Sequence, residues 1–161
     1  MNNALRTQLA ELVGDWRQAH VAFDDAVKGM PPKLRGAVPP GFAHSVWQVV
    51  EHIRIAQADI LDFCVNPRYR HDLQWPGDYW PKAPAPKNAA AWSKAVAAVQ
   101  RDRKAMQRLA LDRRLELSAA IPHGSGLTYL REVLLVADHA AYHVAQIVDI
   151  RRALSVWKEM R

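Results

Sequence analysis

Two histidines, His139 and His143, stand four residues apart in V-A-D-H-A-A-Y-H-V-A-Q, residues 136 to 146. On a helix this spacing puts both side chains on one face, with Cβ atoms about 5–6 Å apart. Two imidazoles placed so can converge on one ion, and they form a borderline donor set suited to zinc, nickel, copper or iron. A catalytic ion normally needs a third protein ligand. The spacing alone is weak evidence: with seven histidines in 161 residues, about a quarter of shuffled chains contain such a pair. The context adds weight, because the flanking residues are apolar and burying an unpaired imidazole is costly. A metal would satisfy both rings; core histidines held by hydrogen bonds are the alternative.

The third ligand must come from elsewhere. His44, His71 and His123 fall at a helix start or in loops. His52 sits inside a helical pattern beside Val49, Ile53 and Ala56, so it can point inward from a rigid element. His20, beside the apolar stripe of the first segment, is the reserve. Ligating histidines usually pass their second N–H to a carboxylate, carbonyl or amide. Gln146, seven after His139, and Asp59, seven after His52, are the candidates for that role or for contact with a substrate. Three histidines leave at least one metal position open. An ion with an open position lowers the pKa of bound water and stabilises a thiolate. No G-x-S-x-G, Cys–His or P-loop pattern offers a rival chemistry. Cys64 reads as a small core residue.

Helices must position these groups. Leu5, Leu9, Leu12, Trp16, Ala19, Phe23, Ala26 and Met30 repeat at three and four, which predicts one long helix stopped by Pro31 and Pro32. Ser45 with Gln48 forms a capping box for a second helix that ends at Asn66-Pro67. Residues 66–87 hold Pro76, Pro81, Pro84 and Pro86 among Trp75, Tyr79 and Trp80. That density of proline forbids a regular helix, and loops of this length often serve a site; Trp80 and its neighbours are candidate pocket walls. Asn88 caps a third helix with Trp92, Val96, Val99, Met106 and Ala110 inward. Arg103 falls on the same face, either as a stem on apolar surface with its head in water or as an anion holder. Thr128 caps a fourth helix that is apolar on most sides and should be central. The expectation is an all-α four-helix bundle over residues 1–161 as one domain.

Composition narrows the setting. The net charge is +6, but the basic residues are dispersed without interleaved aromatics, which disfavours a nucleic-acid interface. No apolar run approaches the roughly 20 residues of a membrane span. The start of the chain lacks a signal peptide's apolar centre, and the single cysteine forms no internal disulfide. A cytoplasmic setting without membrane contact is expected.

Four stretches carry a family resemblance: S-V-W-Q-V-V-E-H-I-R-I-A-Q-A-D-I-L-D-F (45 to 63), W-P-G-D-Y-W-P (75 to 81), I-P-H-G-S-G-L-T-Y-L-R-E (121 to 132) and D-H-A-A-Y-H-V-A-Q-I-V-D-I-R-R-A-L (138 to 154). They resemble the DinB/YfiT-like superfamily of four-helix-bundle metalloenzymes, from about Leu12 to Trp157. The resemblance implies an up-down-down-up bundle and a divalent metal, zinc or nickel, held by His52, His139 and His143. It further implies a homodimer and the activation of a low-molecular-weight thiol for transfer to a small electrophile, with metal-activated water for hydrolysis as the next option. The rival class is a non-catalytic, stress-linked metal-binding protein. Where relatives commonly carry asparagine and glycine, this chain has Ala140 and Ala145.

Overall fold

The computed structural model describes residues 2–14 and 19–158. Among these residues there are five α-helices and no β-strand: α1 (Asn3–Val13), α2 (Phe23–Val27), α3 (Val46–Val65), α4 (Ala89–Leu111) and α5 (Tyr129–Ala153). The starts follow from side-chain caps, which satisfy backbone N–H groups that have no partner within the helix. Asn88 accepts from the Ala91 N–H and Thr128 from the Arg131 N–H. Ser45 accepts from Gln48 N–H while the Gln48 side chain accepts from Ser45 N–H, the full capping box.

The single long first helix is not formed. α1 closes at Gly14, and α2 starts only at Phe23. Gly14 lies so close to α4 that a Cβ there would meet Gln107 Nε2 at 2.5 Å. The buried face of α1 is Arg6, Leu9, Ala10 and Val13; Leu5 and Ala19 are exposed. The expected stripe was therefore two faces, one per helix, and they meet different apolar clusters: Leu9, Ala10 and Val13 join one, and Phe23, Ala26 and Met30 the other. Trp16 lies outside the described residues.

Packing couples α3 to α4 and α5, and α1 to the same two helices. Within α3 and α4, Gln57 Nε2 donates to the Val99 carbonyl at 2.7 Å. At the other end, buried Arg6 donates to the carbonyls of Ala110 and Asp112, at 3.1 and 2.9 Å, and to that of Leu115. These carbonyls lie at and beyond the C-terminus of α4, where a cation is favoured. Arg103 does not keep its head in water; the anion it holds is a carboxylate of the chain itself. Its Nη2 donates to Asp24 Oδ2 at 2.7 Å, which ties α4 to α2.

Two apolar clusters fill the interior. One gathers Phe23, Ile53, Trp92 and Ile147; the other gathers Met106, Leu117, Ile121 and Val133. Along α5 the second cluster ends at Ala137 and the first begins at Val144, so His139 and His143 occupy the seam between them. α5 is long and apolar enough to cross a membrane by length and composition, contrary to the reading of its sequence. It nonetheless buries Glu132, His143 and Arg151, and each finds a partner within the chain. That is the pattern of a core helix.

Candidate metal centre

His52 projects from the middle of α3 and His139 and His143 from the middle of α5, and the three rings meet at the seam. Their centroids stand 4.8 Å (His52–His139), 4.4 Å (His52–His143) and 4.4 Å (His139–His143) apart. One nitrogen from each lies within 4.8 Å of the others. Donor atoms bound at about 2.1 Å around a tetrahedral ion stand about 3.4 Å apart, so a small inward shift would let the rings share one ion.

Hydrogen bonds fix which nitrogens face the centre. His52 Nδ1 stands 2.8 Å from the Tyr79 carbonyl. A carbonyl only accepts, so His52 carries its proton on Nδ1 and presents the lone pair of Nε2. His143 Nδ1 donates to Gln146 Oε1 at 2.8 Å, which likewise frees Nε2. His139 Nε2 approaches His52 Nε2 at 3.0 Å; with His52 as acceptor, His139 is the donor. An ion would take the place of that proton, and His139 would then carry its own on Nδ1.

Burial keeps the rings neutral, the form that binds metal. Desolvation, reinforced by the neighbouring His143 and His52, pushes His139 down to about 3. Desolvation also lowers His143 to about 4, against the opposing Gln146 hydrogen bond. His52 is lowered too, chiefly by burial. Three neutral imidazoles with two tautomers set from outside form a fitting donor set for a divalent ion.

The Pro-rich loop supplies the wall. Trp80 stacks flat on His52, 3.9 Å between centroids with 1° between planes, and His44 stacks on its other face at 3.8 Å. The loop is pinned to the start of α3 by Ser45 Oγ on the Pro84 carbonyl and Gln48 Nε2 on the Pro81 carbonyl. Beside the triad a cavity of about 500 Å³ runs between α3 and α5, and His139 lines it.

The other histidines are apart from the cluster. His20 is exposed, its Nδ1 against the Val21 carbonyl. His44 serves Trp80, not the triad centre. His71 and His123 line the cavity's outer part, next to the Tyr69 hydroxyl and the Phe63 carbonyl respectively. Gln146 sits where the spacing rule put it, but against His143. Asp59 does not reach His52: it accepts from the hydroxyls of Tyr69 at 2.9 Å and Tyr79 at 2.6 Å. Its link to the triad runs through Tyr79, whose main-chain carbonyl holds His52. Burial first, then the Asp59 carboxylate, raise both phenols above their ordinary range, so they remain donors. The Tyr79 carbonyl left no sequence signal because any residue supplies one. Only the aromatic residues among prolines marked the segment.

A family model described as the DinB superfamily matches residues 15–147. The chain belongs to the DinB superfamily. All three clustered histidines fall in the matched span, as do the Pro-rich loop and Gln146. No curated protein and no solved structure matches the chain significantly. For this DinB-superfamily protein, the specific chemistry must therefore be argued from its own residues.

Proposed function

We propose that this chain is a metal-dependent enzyme in which His52, His139 and His143 hold a divalent ion, zinc or nickel, that activates a small thiol for transfer to an electrophile. The observation that carries the reading is the triad itself: three neutral imidazoles, His52 and His143 buried with their outer N–H groups already engaged and His139 half-buried, beside a cavity large enough for a small molecule. A bound ion would favour the thiolate over the thiol at neutral pH. The chain's own groups do the rest. The Tyr79 carbonyl and Gln146 orient His52 and His143, Trp80 excludes water from one face of His52, and the cavity places the second substrate beside His139. Sulfur–carbon bond formation would accompany departure of the electrophile's leaving group, with the thiol proton passing to solvent.

The adjoining cavity favours an enzyme over a passive metal-binding protein, since a storage or interaction role has no use for it. The helices are read as one four-helix bundle domain of up-down-down-up type. The Gln57–Val99 pairing supports α3 running alongside α4, and the Arg6 contacts support α1 running against it. The protein is taken to act in the cytoplasm as a homodimer. The test is conjugation of low-molecular-weight thiols to alkyl halides and epoxides, with and without chelator. Chelator-sensitive conjugation is expected. Hydrolysis of activated esters without thiol dependence would replace transferase by hydrolase, and neither activity would leave the metal-binding role alone.

A further inference from the structure

The cavity beside the triad is more than an opening, because its walls specify a ligand class. It follows α3 from Ala56 to Phe63 and α5 from His139 back to Arg131, which is a groove about 10–12 Å long at 1.5 Å per residue. Ile60, Phe63 and Leu135 supply apolar surface from the helices. The Pro-rich loop adds the rings of Tyr69, Trp75 and Tyr79.

The charged groups along the groove already have partners. Asp59 accepts from two tyrosine hydroxyls. Glu132, only 2% exposed, accepts from Arg131 Nη1 at 2.6 Å. An anion would face the Asp59 carboxylate and find Arg131 already matched by Glu132, and a cation would have to displace the tyrosine hydroxyls that Asp59 holds, so a charged ligand would lose water without an equal return. A neutral ligand escapes that cost.

Trp75 points to the same conclusion. It is 71% exposed yet lies at the rim of the groove, edge-on to Tyr79 at 5.4 Å between centroids. A large ring left in water contributes little to the fold. At the mouth of an aromatic-walled groove it can close over a planar guest, since offset and edge-to-face ring pairs add about 0.5–1.5 kcal/mol beyond area burial.

We infer that the groove between α3 and α5 binds a neutral aromatic molecule of about two fused rings, its reacting end beside His139 and its body among Phe63, Tyr69 and Trp75. This names the electrophile's class for the proposed transferase and rests on that reading only for the chemistry, not for the binding. The volume suits it, since pockets for compact organic ligands begin near 300 Å³.

The probe is 2-naphthol, titrated calorimetrically at pH 7 into the metal-free and the metal-loaded protein. 2-Naphthoate, 2-naphthylmethylammonium and 2-decalol serve as anionic, cationic and non-aromatic controls. The neutral aromatic probe should bind both forms at least about tenfold tighter than any control. Trp75→Ala, at an exposed position that leaves the fold intact, should weaken binding several-fold. Leu127→Trp, which fills the outer groove from a partly exposed loop position, should weaken it further. Equal or tighter binding of a charged or saturated control would overturn the assignment, as would naphthol binding indifferent to both substitutions. The metal-free titration alone decides the assignment, so failure of the triad to hold an ion would leave its outcome unchanged, and the two readings fail separately.

Discussion

Gln146→Leu separates a metal centre from a merely hydrogen-bonded histidine cluster. In the wild type Gln146 Oε1 accepts from His143 Nδ1 at 2.8 Å. While His143 is neutral that bond is an ordinary one, worth about 1 kcal/mol. Coordination of a divalent cation at Nε2 polarises the ring, and the same bond becomes charge-assisted, worth about 1.5–3 kcal/mol. Removing the acceptor therefore costs the metal-bound state about 0.5–2 kcal/mol more than the metal-free state. At 1.4 kcal/mol per tenfold, metal affinity should fall about 2- to 30-fold, while the metal-free protein loses only about 1 kcal/mol of stability. Competition against a chromophoric chelator reads the affinity, and thermal melts of the stripped protein read the stability. Gln146→Glu keeps an acceptor and should retain affinity. Wild-type affinity in Gln146→Leu, or a stripped protein too destabilised to fold, would refute the reasoning.

Three further outcomes follow from the same structure. The folded pKa values of His139 and His143, about 3 and about 4, lie below the unfolded value near 6.5. The unfolded chain thus takes up protons first, and the metal-free protein should lose stability as pH falls from about 6.5 to about 3, with no such loss between pH 7 and 9; a flat melting temperature across the acid window would contradict the burial argument. Arg6→Met leaves three carbonyls around the end of α4 without their cation and should lower the melting temperature by roughly 5–10 °C, at about 2–3 kcal/mol. Burial pushes the Cys64 thiol up to about 12, so iodoacetamide at pH 7 should leave it unmodified in the folded protein and label it quickly in urea; rapid labelling of the native chain would show the site to be open.

The sequence made the caps legible because each is a short-range signal. Ser45 with Gln48, Asn88 and Thr128 all start helices where their side chains predict. The convergence of His52 with His139 and His143 was legible for a related reason: inward placement on rigid helices fixes direction as well as position. Periodicity failed between Leu5 and Met30 because two separate helices, each with its own buried face, preserve the same apolar rhythm, and the close approach of Gly14 to α4 is a tertiary fact. Which anion Arg103 holds was not legible, since Asp24 lies 79 residues away in the chain. Asp59 and His20 show the limit of reading faces from spacing. Asp59 faces the site but spends its oxygens on tyrosines from the loop, and His20 lies beyond the end of the helix that was to aim it inward.

The central claim is that three histidines hold one divalent ion, and elemental analysis of the purified protein tests it most directly. Wild type should carry close to one equivalent of zinc or nickel per chain. His52→Ala, His139→Ala and His143→Ala, each verified as helical by circular dichroism, should lose it. Folded variants that retain metal as the wild type does would contradict the account.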